Sequence, residues 1–287
     1  MMRRNSPYAS EKGPLIALVT TPIGNLQDIT YRAVEYLRDA DIIACEDTRN
    51  TGLLLSQVGI KPKKLVALYA QTELKNAKSL VREVKENGYH LAYCSDAGMP
   101  GISDPGALLV QAAREEDVPV TVLPGPTASL SALVISGIDS ADFSFYGFLP
   151  TKKGAIKALL EPLKERTETL IFYESPKRVL ATLALMKDVF GEERQATLVR
   201  ELTKIHEETI QGTLGELASL TEEIRGECVI VIAGDKEKKE ADPEDLKKQI
   251  REGLREGKSL SSLAKEIAEK NHVGKNLVYK LGLEISK

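Results

Sequence analysis

Leu15-Ile16-Ala17-Leu18-Val19 (LIALV) runs straight into Thr20-Thr21-Pro22-Ile23-Gly24 (TTPIG), and the reading of these residues decides the fold. A continuous apolar run of this length, stopped by a Thr/Pro/Gly loop, predicts a buried strand of a parallel sheet. Asp28 or Thr30 then caps a helix whose Ala33, Val34 and Leu37 recur at helical spacing. The same unit repeats down the chain. Residues 42–45 and 64–68 read as strands, 77–86 as a helix stopped by Asn87-Gly88, and 90–94 (HLAYC) as another strand. Residues 107–114 are helical, and the strand over 118–123 ends at Pro124-Gly125-Pro126. Repeated strand, loop and helix predict an α/β domain with a mostly parallel sheet.

Beyond residue 126 the pattern changes. Residues 143–148 (FSFYGF) mark a boundary or a new strand, and 169–173 (TLIFY), 196–199, 209–212 and 228–233 (CVIVIA) read as further strands. Helices are expected at 179–186 and 216–220, and the closer strand spacing predicts antiparallel pairing. A charged linker follows, then helices at 246–254, 259–269 and 273–279. The last two, around Asn271-His272-Val273-Gly274, have a helix-turn-helix pattern, with three packed helices of no nucleic-acid role as the alternative. The expected organisation is a flexible N-terminus (1–13), an N-terminal α/β domain (14–125), a second α/β domain (126–235), and a charged linker with a basic helical tail (236–287).

Composition bounds the function. In 287 residues, 42% hydrophobic and 28% charged, there is enough apolar material for a core, and no apolar run of membrane-spanning length. The polar first residues predict no secretory signal. Three scattered cysteines, Cys45, Cys94 and Cys228, fit neither a disulfide framework nor a zinc pattern, so a reducing, cytoplasmic setting and no metal are expected. The formal charge is −3, yet residues 247–287 hold ten Lys/Arg against five Asp/Glu, leaving a net −8 on the remainder. A basic end on an acidic body suits a nucleic-acid contact or a solvated tail.

Four loops follow strand ends, where ligands sit in parallel sheets. They are Thr21 to Asn25, Glu46-Asp47-Thr48-Arg49, Ser95 to Gly106 (SDAGMPGISDPG), and Pro124 to Ser129 (PGPTAS). Their Gly and Pro residues permit tight turns and close backbone approach to a ligand. No G-x-G-x-x-G follows a strand, GLREGKS at 253–259 only approaches a phosphate loop, and neither H-E-x-x-H nor C-x-x-C occurs. The later half adds Tyr173-Glu174-Ser175-Pro176-Lys177-Arg178 and Arg200-Glu201-Leu202-Thr203-Lys204 after strands. These charges serve either an interdomain cleft or ion pairs between domains.

The ordered set TPIGNLQDIT, EDTR, SDAGMPGISDPG, PGPTA, FYESPKR and RELTKIHEE resembles the ribosomal RNA small-subunit (cytidine-2′-O-)-methyltransferase family of the tetrapyrrole methylase superfamily. The resemblance covers about residues 15–233. It implies a two-domain α/β fold with a cofactor cleft between domains, a small C-terminal helical segment, S-adenosylmethionine as methyl donor, and a homodimer. Carried over by position, the donor contacts are Pro22, Ile23, Gly24, Ala97, Gly98, Met99, Ile102, Thr127, Ala128, Tyr173, Glu174, Leu202 and Ala233. Tetrapyrrole-modifying relatives commonly read G-G-D-P where this chain reads Ala97-Gly98-Met99-Pro100, with Asp96 just before. That shift argues against a tetrapyrrole substrate.

The implied reaction moves a methyl group to a cytidine ribose 2′-hydroxyl in small-subunit ribosomal RNA, naked or in the assembled subunit. Asp47, Asp96, Asp104, Glu174 and Lys177 are the candidates for managing the hydroxyl proton or the developing alkoxide. Arg49, Lys177, Arg178 and Lys204 are the candidate phosphate contacts. Methylation of a tetrapyrrole or other small planar substrate is the alternative, and a non-catalytic RNA-binding protein is a third reading.

Overall fold

A computed structural model describes residues 13–68, 73–103, 106–235, 243–271 and 273–285. The chain divides into two compact units, the first ending at Gly234 and the second starting at Asp235.

The first unit opens with β1 (Leu15–Val19), α1 (Tyr31–Asp39), β2 (Ile42–Cys45), α2 (Thr48–Gln57), β3 (Leu65–Ala67), α3 (Glu73–Asn87), β4 (His90–Cys94), α4 (Ala107–Glu115) and β5 (Val120–Leu123). The five strands form one sheet in the order β3-β2-β4-β1-β5, with every pairing parallel. All five residues of β1 are buried because the sheet is covered on both faces. Ile16, Leu18, Leu91 and Tyr93 pack with Val81, Val84, Leu109 and Ala113 on one side. Ala17, Val19, Ile43 and Ala92 pack with Ala33, Leu37 and Leu55 on the other. Each fully buried Leu or Ile contributes roughly 1.5–3 kcal/mol.

Of the two caps expected for α1, Thr30 is the one used: its hydroxyl accepts from Ala33 N at 3.1 Å. The expected polar loop at Glu46 to Arg49 is shorter than its sequence suggests. Asp47 is an N-cap, accepting from Arg49 N at 2.8 Å, and α2 starts at Thr48.

The chain leaves the first sheet at Leu123 and enters α5 (Ala128–Ser136). Then come β6 (Phe143–Phe148), α6 (Lys153–Leu160), β7 (Thr169–Glu174), α7 (Val179–Phe190), β8 (Gln195–Arg200), β9 (Glu208–Thr213), α8 (Leu214–Ala218) and β10 (Cys228–Ile232). These strands form a second sheet, ordered β6-β7-β10-β8-β9. Three of its pairings are antiparallel, as strand spacing predicted. The β6–β7 pair departs from that expectation and is parallel, because α6 serves as a crossover between the two strands. One face of the sheet packs on α6, α7 and α8 through Phe172, Leu198 and Ile230. The other face is covered by α5, whose Ala132 and Leu133 meet Ile171, Val199, Val229 and Val231. A helix that begins at the end of the first sheet is therefore part of the core of the second.

The second unit holds α9 (Pro243–Arg255), α10 (Leu260–Lys270) and α11 (Lys275–Ile285) around Leu246, Ile250, Leu263, Ile267, Val278 and Leu281. The third helix starts two residues later than the sequence predicted and runs six further. Asn271 ends α10, donating to Ile267 O at 2.8 Å and pairing with Gln249. A Cβ on Gly282 would strike Leu260, so this glycine lets α10 and α11 approach closely. Among the described residues no helix is long and apolar enough to cross a membrane.

Candidate active site

Three loops at the carboxyl end of the first sheet meet around Gly98. Thr21 and Gly98 form an isolated antiparallel bridge, with Thr21 N donating to Gly98 O at 3.0 Å and Gly98 N to Thr21 O at 3.1 Å. Thr21 Oγ1 also donates to Ser95 O at 3.3 Å. Gly98 has φ +75°, and a Cβ there would lie 3.4 Å from Ile23 Cγ2 and 3.9 Å from the Pro126 carbonyl oxygen. The third loop packs against the first: a Cβ on Gly125 would sit 3.1 Å from the Thr20 side chain. The Pro22–Ile23–Gly24, Ala97–Gly98–Met99 and Pro126–Thr127 turns thus share one centre. Thr20 Oγ1 is buried there with no hydrogen-bond partner among the described residues.

The second half of the unit closes on this centre. A Cβ on Gly24 would lie 3.0 Å from Leu202 O and would strike Lys204 Cγ. Asn25 N donates to Thr203 Oγ1 at 3.1 Å. The Tyr173 hydroxyl accepts from Ser129 N at 3.1 Å, and Ala128, Tyr173 and Leu202 all pack against the α5 cluster. Backbone strain gathers here too. Ser103, Glu201 and Thr203, none of them glycine, adopt φ values of 64°, 51° and 64°. Such conformations persist where surrounding contacts over-determine them, and they concentrate at functional sites.

Most sequence-derived donor contacts therefore fall on one cradle: Pro22, Ile23, Gly24, Ala97, Gly98, Met99, Thr127, Ala128, Tyr173 and Leu202. Ile102 lies on the same loop as Gly98, exposed, with its N–H donating to Met99 O. Ala233 is not brought to it. β10 runs antiparallel to β7 and β8, with Cys228 opposite Glu174 and Arg200, so its carboxyl end points away from the cradle. Ala233 instead pairs with Gln195 and Arg194.

The charged candidates separate by what they touch. Asp104 lies outside the described residues. Glu174 is turned inward with a side chain only 1% exposed. Its Oε1 accepts from Ser175 N at 2.7 Å, and its Oε2 accepts from Arg178 at 3.0 Å and from Thr182 Oγ1 at 2.8 Å. Arg178, expected on phosphate, turns its Nη2 to Glu174 and to the Leu149 and Pro150 carbonyls, at 3.0 and 2.7 Å. Glu174 is not presented to a ligand, and Arg178 holds it in place while keeping its side chain partly exposed. Both follow a strand end, but the start of α7 folds them back onto each other, four residues apart.

Lys204 is likewise engaged, with Glu201 at 2.8 Å and Glu227 at 3.0 Å. Burial opposes its charge, but these carboxylates outweigh it and hold the ammonium above its ordinary pKa. Arg49, mostly exposed, folds onto Asp47 with Nη2 2.6 Å from Oδ2. Hydrogen bonds from Arg49 hold the Asp47 carboxyl down at about 2. Such a carboxylate stays charged at neutral pH and is a weak proton acceptor. Lys177 is exposed and makes no ion pair among the described residues.

Asp96 immediately precedes the cradle, and its Oδ2 accepts from Asn50 Nδ2 at 2.8 Å. Glu46, not singled out by the sequence, stands beyond β2 on the strand neighbouring β4. Burial, then the charges of Asp96 and Asp47, push its carboxyl up from the usual value. The three thiols are buried, and burial pushes all three up, Cys228 to about 11, so none is poised as a nucleophile.

Replacing Gly98 by Val tests the cradle. A β-branched residue in the left-handed region costs roughly 1–2 kcal/mol. Relieving that strain would break the Thr21–Gly98 bridge and displace the loop. Restoring the loop for binding corresponds to about a 30-fold loss of methyl-donor affinity for 2 kcal/mol. Calorimetry on the folded variant checks this, and an unchanged dissociation constant would remove Gly98 from the donor site.

The family model of Tetrapyrrole (Corrin/Porphyrin) Methylases matches residues 15–218. The chain is 42% identical over 267 residues to Ribosomal RNA small subunit methyltransferase I of Streptococcus pyogenes serotype M1, covering 91% of this chain and 92% of that protein. It is 44% identical over 275 residues to the protein of the same name from Haemophilus influenzae, covering 94% and 96%. Among solved structures, uroporphyrin-III-C-methyltransferase from Thermus thermophilus superposes with a TM-score of 0.56 at 20% identity, over 77% of this chain and 94% of that one. That likeness concerns the fold alone. With a cradle of three turns closed by a mixed second sheet, and with relatives this similar over nearly their whole length, the chain belongs to the tetrapyrrole methylases, in the ribosomal RNA small subunit methyltransferase I family.

Proposed function

We propose that this protein transfers a methyl group from S-adenosylmethionine to the ribose 2′-hydroxyl of a cytidine in small-subunit ribosomal RNA, acting as a homodimer in the cytoplasm. The observation that carries this reading is the convergence of the Pro22–Gly24, Ala97–Met99 and Pro126–Ala128 turns around Gly98. The cradle's lining suits a donor held mainly by backbone and apolar groups. The cradle is floored by backbone at Gly98 and Gly125, where a Cβ would touch Ile23 and crowd Thr20, and it contains the Thr20 hydroxyl, which has no partner among the described residues. Pro22, Ile23, Gly24, Ala97, Gly98, Met99, Ile102, Thr127, Ala128, Tyr173 and Leu202 would hold the donor.

S-adenosylmethionine supplies a methyl group already activated on a sulfonium. What remains for the chain's own residues is alignment and custody of one proton. Alignment of this kind is worth about 7–11 kcal/mol in favourable cases. For the proton, Glu174 has both oxygens occupied and Asp47 is held strongly acidic; of the described carboxylates among the candidates, Asp96, beside the cradle and steadied by Asn50, is the acceptor.

The RNA substrate is supported by the relatives whose names specify it, at 39–44% identity, against 20% for the solved tetrapyrrole-named neighbour. The small planar substrate is correspondingly disfavoured. The homodimer is supported by α5, which has no charged residue and leaves Leu130, Val134 and Ile135 exposed on its outer face.

Incubation with methyl-labelled S-adenosylmethionine and small ribosomal subunits, or their naked RNA, tests the function. After digestion to nucleosides, label is expected in 2′-O-methylcytidine. Label on a base, or transfer only to a tetrapyrrole, would overturn it.

A further inference from the structure

Phe148 is 63% exposed at the end of β6, an edge strand of the second sheet. In a regular strand, residues three apart face opposite ways. Here the register shifts between Phe145 and Gly147, and Gly147 takes φ +67°. The bulge brings both Phe145 and Phe148 against one ring, Tyr173, edge-on at 4.8 and 5.4 Å. Bulges beside active sites re-aim side chains in this way. The position is also fixed from two sides. A Cβ on Gly147 would lie 3.1 Å from Ser103 Oγ, on the loop that carries Gly98, and Arg178 clamps the Leu149 and Pro150 carbonyls just beyond. Tyr173 in turn bonds Ser129 at the start of α5. An open aromatic face is thus held rigidly next to the donor cradle.

Lysines lie near it along the chain and beyond the paired strand. Lys152 and Lys153 follow within five residues, and Lys177 follows the paired strand β7 three residues after its end. All three are exposed and make no ion pair among the described residues. An exposed ring with exposed lysines on the two segments that follow it and its paired strand matches an unpaired nucleotide, whose base stacks while its phosphates meet the ammonium groups. A protein partner of ordinary composition would leave those cations uncompensated.

We infer that Phe148 is the stacking platform for the unpaired base of the target nucleotide, with Lys152, Lys153 and Lys177 engaging the flanking phosphates. This rests on the RNA-methylating function proposed above.

The chain contains no tryptophan, so Phe148→Trp introduces a single fluorophore at the platform. Saturable quenching is expected with a single-stranded, cytidine-containing RNA oligonucleotide and none with heparin, a polyanion without bases. In methyl transfer to small subunits, Phe148→Leu, which keeps an apolar side chain but loses the flat face, is expected to raise KM about tenfold, within the range of stacking losses. Phe148→Trp is expected to stay within about threefold of wild type, since every base stacks on any aromatic face. Donor affinity should stay within about threefold in either variant, and the urea midpoint should move little, because the ring is mostly exposed and its buried part is a single edge-on contact to Tyr173. Unchanged KM in Phe148→Leu, or equal quenching by heparin, overturns the platform. If wild type transfers no methyl to small-subunit RNA, the proposed function falls. Oligonucleotide quenching alone then decides the platform: its presence upholds base stacking, and its absence overturns it.

Discussion

Arg178→Met will lower the stability of the α/β unit by about 3 kcal/mol, in line with breaking other buried ion pairs. The substitution keeps much of the side chain's length and apolar stem but removes the guanidinium. Glu174 is then left 1% exposed with a charge and no cation, and the Leu149 and Pro150 carbonyls lose their donor. Urea unfolding monitored by circular dichroism reads the loss. The cause is separable from packing. Adding Glu174→Gln removes the stranded charge while leaving groups for Ser175 N and Thr182 Oγ1, so the double variant should recover most of the stability. A single variant as stable as wild type would mean that Glu174 does not depend on this cation.

Asp96→Asn should slow methyl transfer about 100-fold, the lower end of what a positioned general base contributes. Asparagine keeps an oxygen that can accept from Asn50, and the chain bends into the cradle at Ala97 and Gly98 as before. What is lost is basicity alone. Donor affinity should stay within about threefold, because the proposed contacts to the donor are mostly backbone and apolar. Single-turnover transfer with saturating donor separates the two. An unaltered rate would move the role to Glu46, at the end of the neighbouring strand. Burial and the charges of Asp96 and Asp47 already push the Glu46 carboxyl up.

Much of the first sheet was legible because LIALV and IIAC are apolar throughout, and HLAYC is so after His90, as a strand covered on both faces requires. The cradle was legible for the same reason, since glycine and proline clusters after such strands can only be loops. The start of α2 was not. Its cap and first turn are polar, and only Thr51 and Leu55 of its ten residues are buried. Missing α6 hid the parallel β6–β7 pair, since a crossover helix is what permits one. Ala233 was misplaced because strand direction is set by pairing partners far away in sequence, here β7 and β8. Glu174 and Arg178 show a different limit. Charges after a strand look alike in sequence whether they face a ligand or each other, and the turn into α7 decides which. Phe148 escaped notice because its outward aim comes from a bulge, which no periodicity marks.

Helix α5 has a mechanical consequence. Since it leaves the first sheet through Pro124-Gly125-Pro126 and forms the core of the second, the two halves are riveted along that side. Around Asn25 the crossing is polar, a hydrogen bond from its N–H to the Thr203 hydroxyl. Within the α/β unit the halves thus share an oily spine at α5 and a thin polar contact at Asn25. Destabilising the two halves relative to each other would therefore be resisted along α5 by buried apolar surface and at Asn25 by a single neutral hydrogen bond.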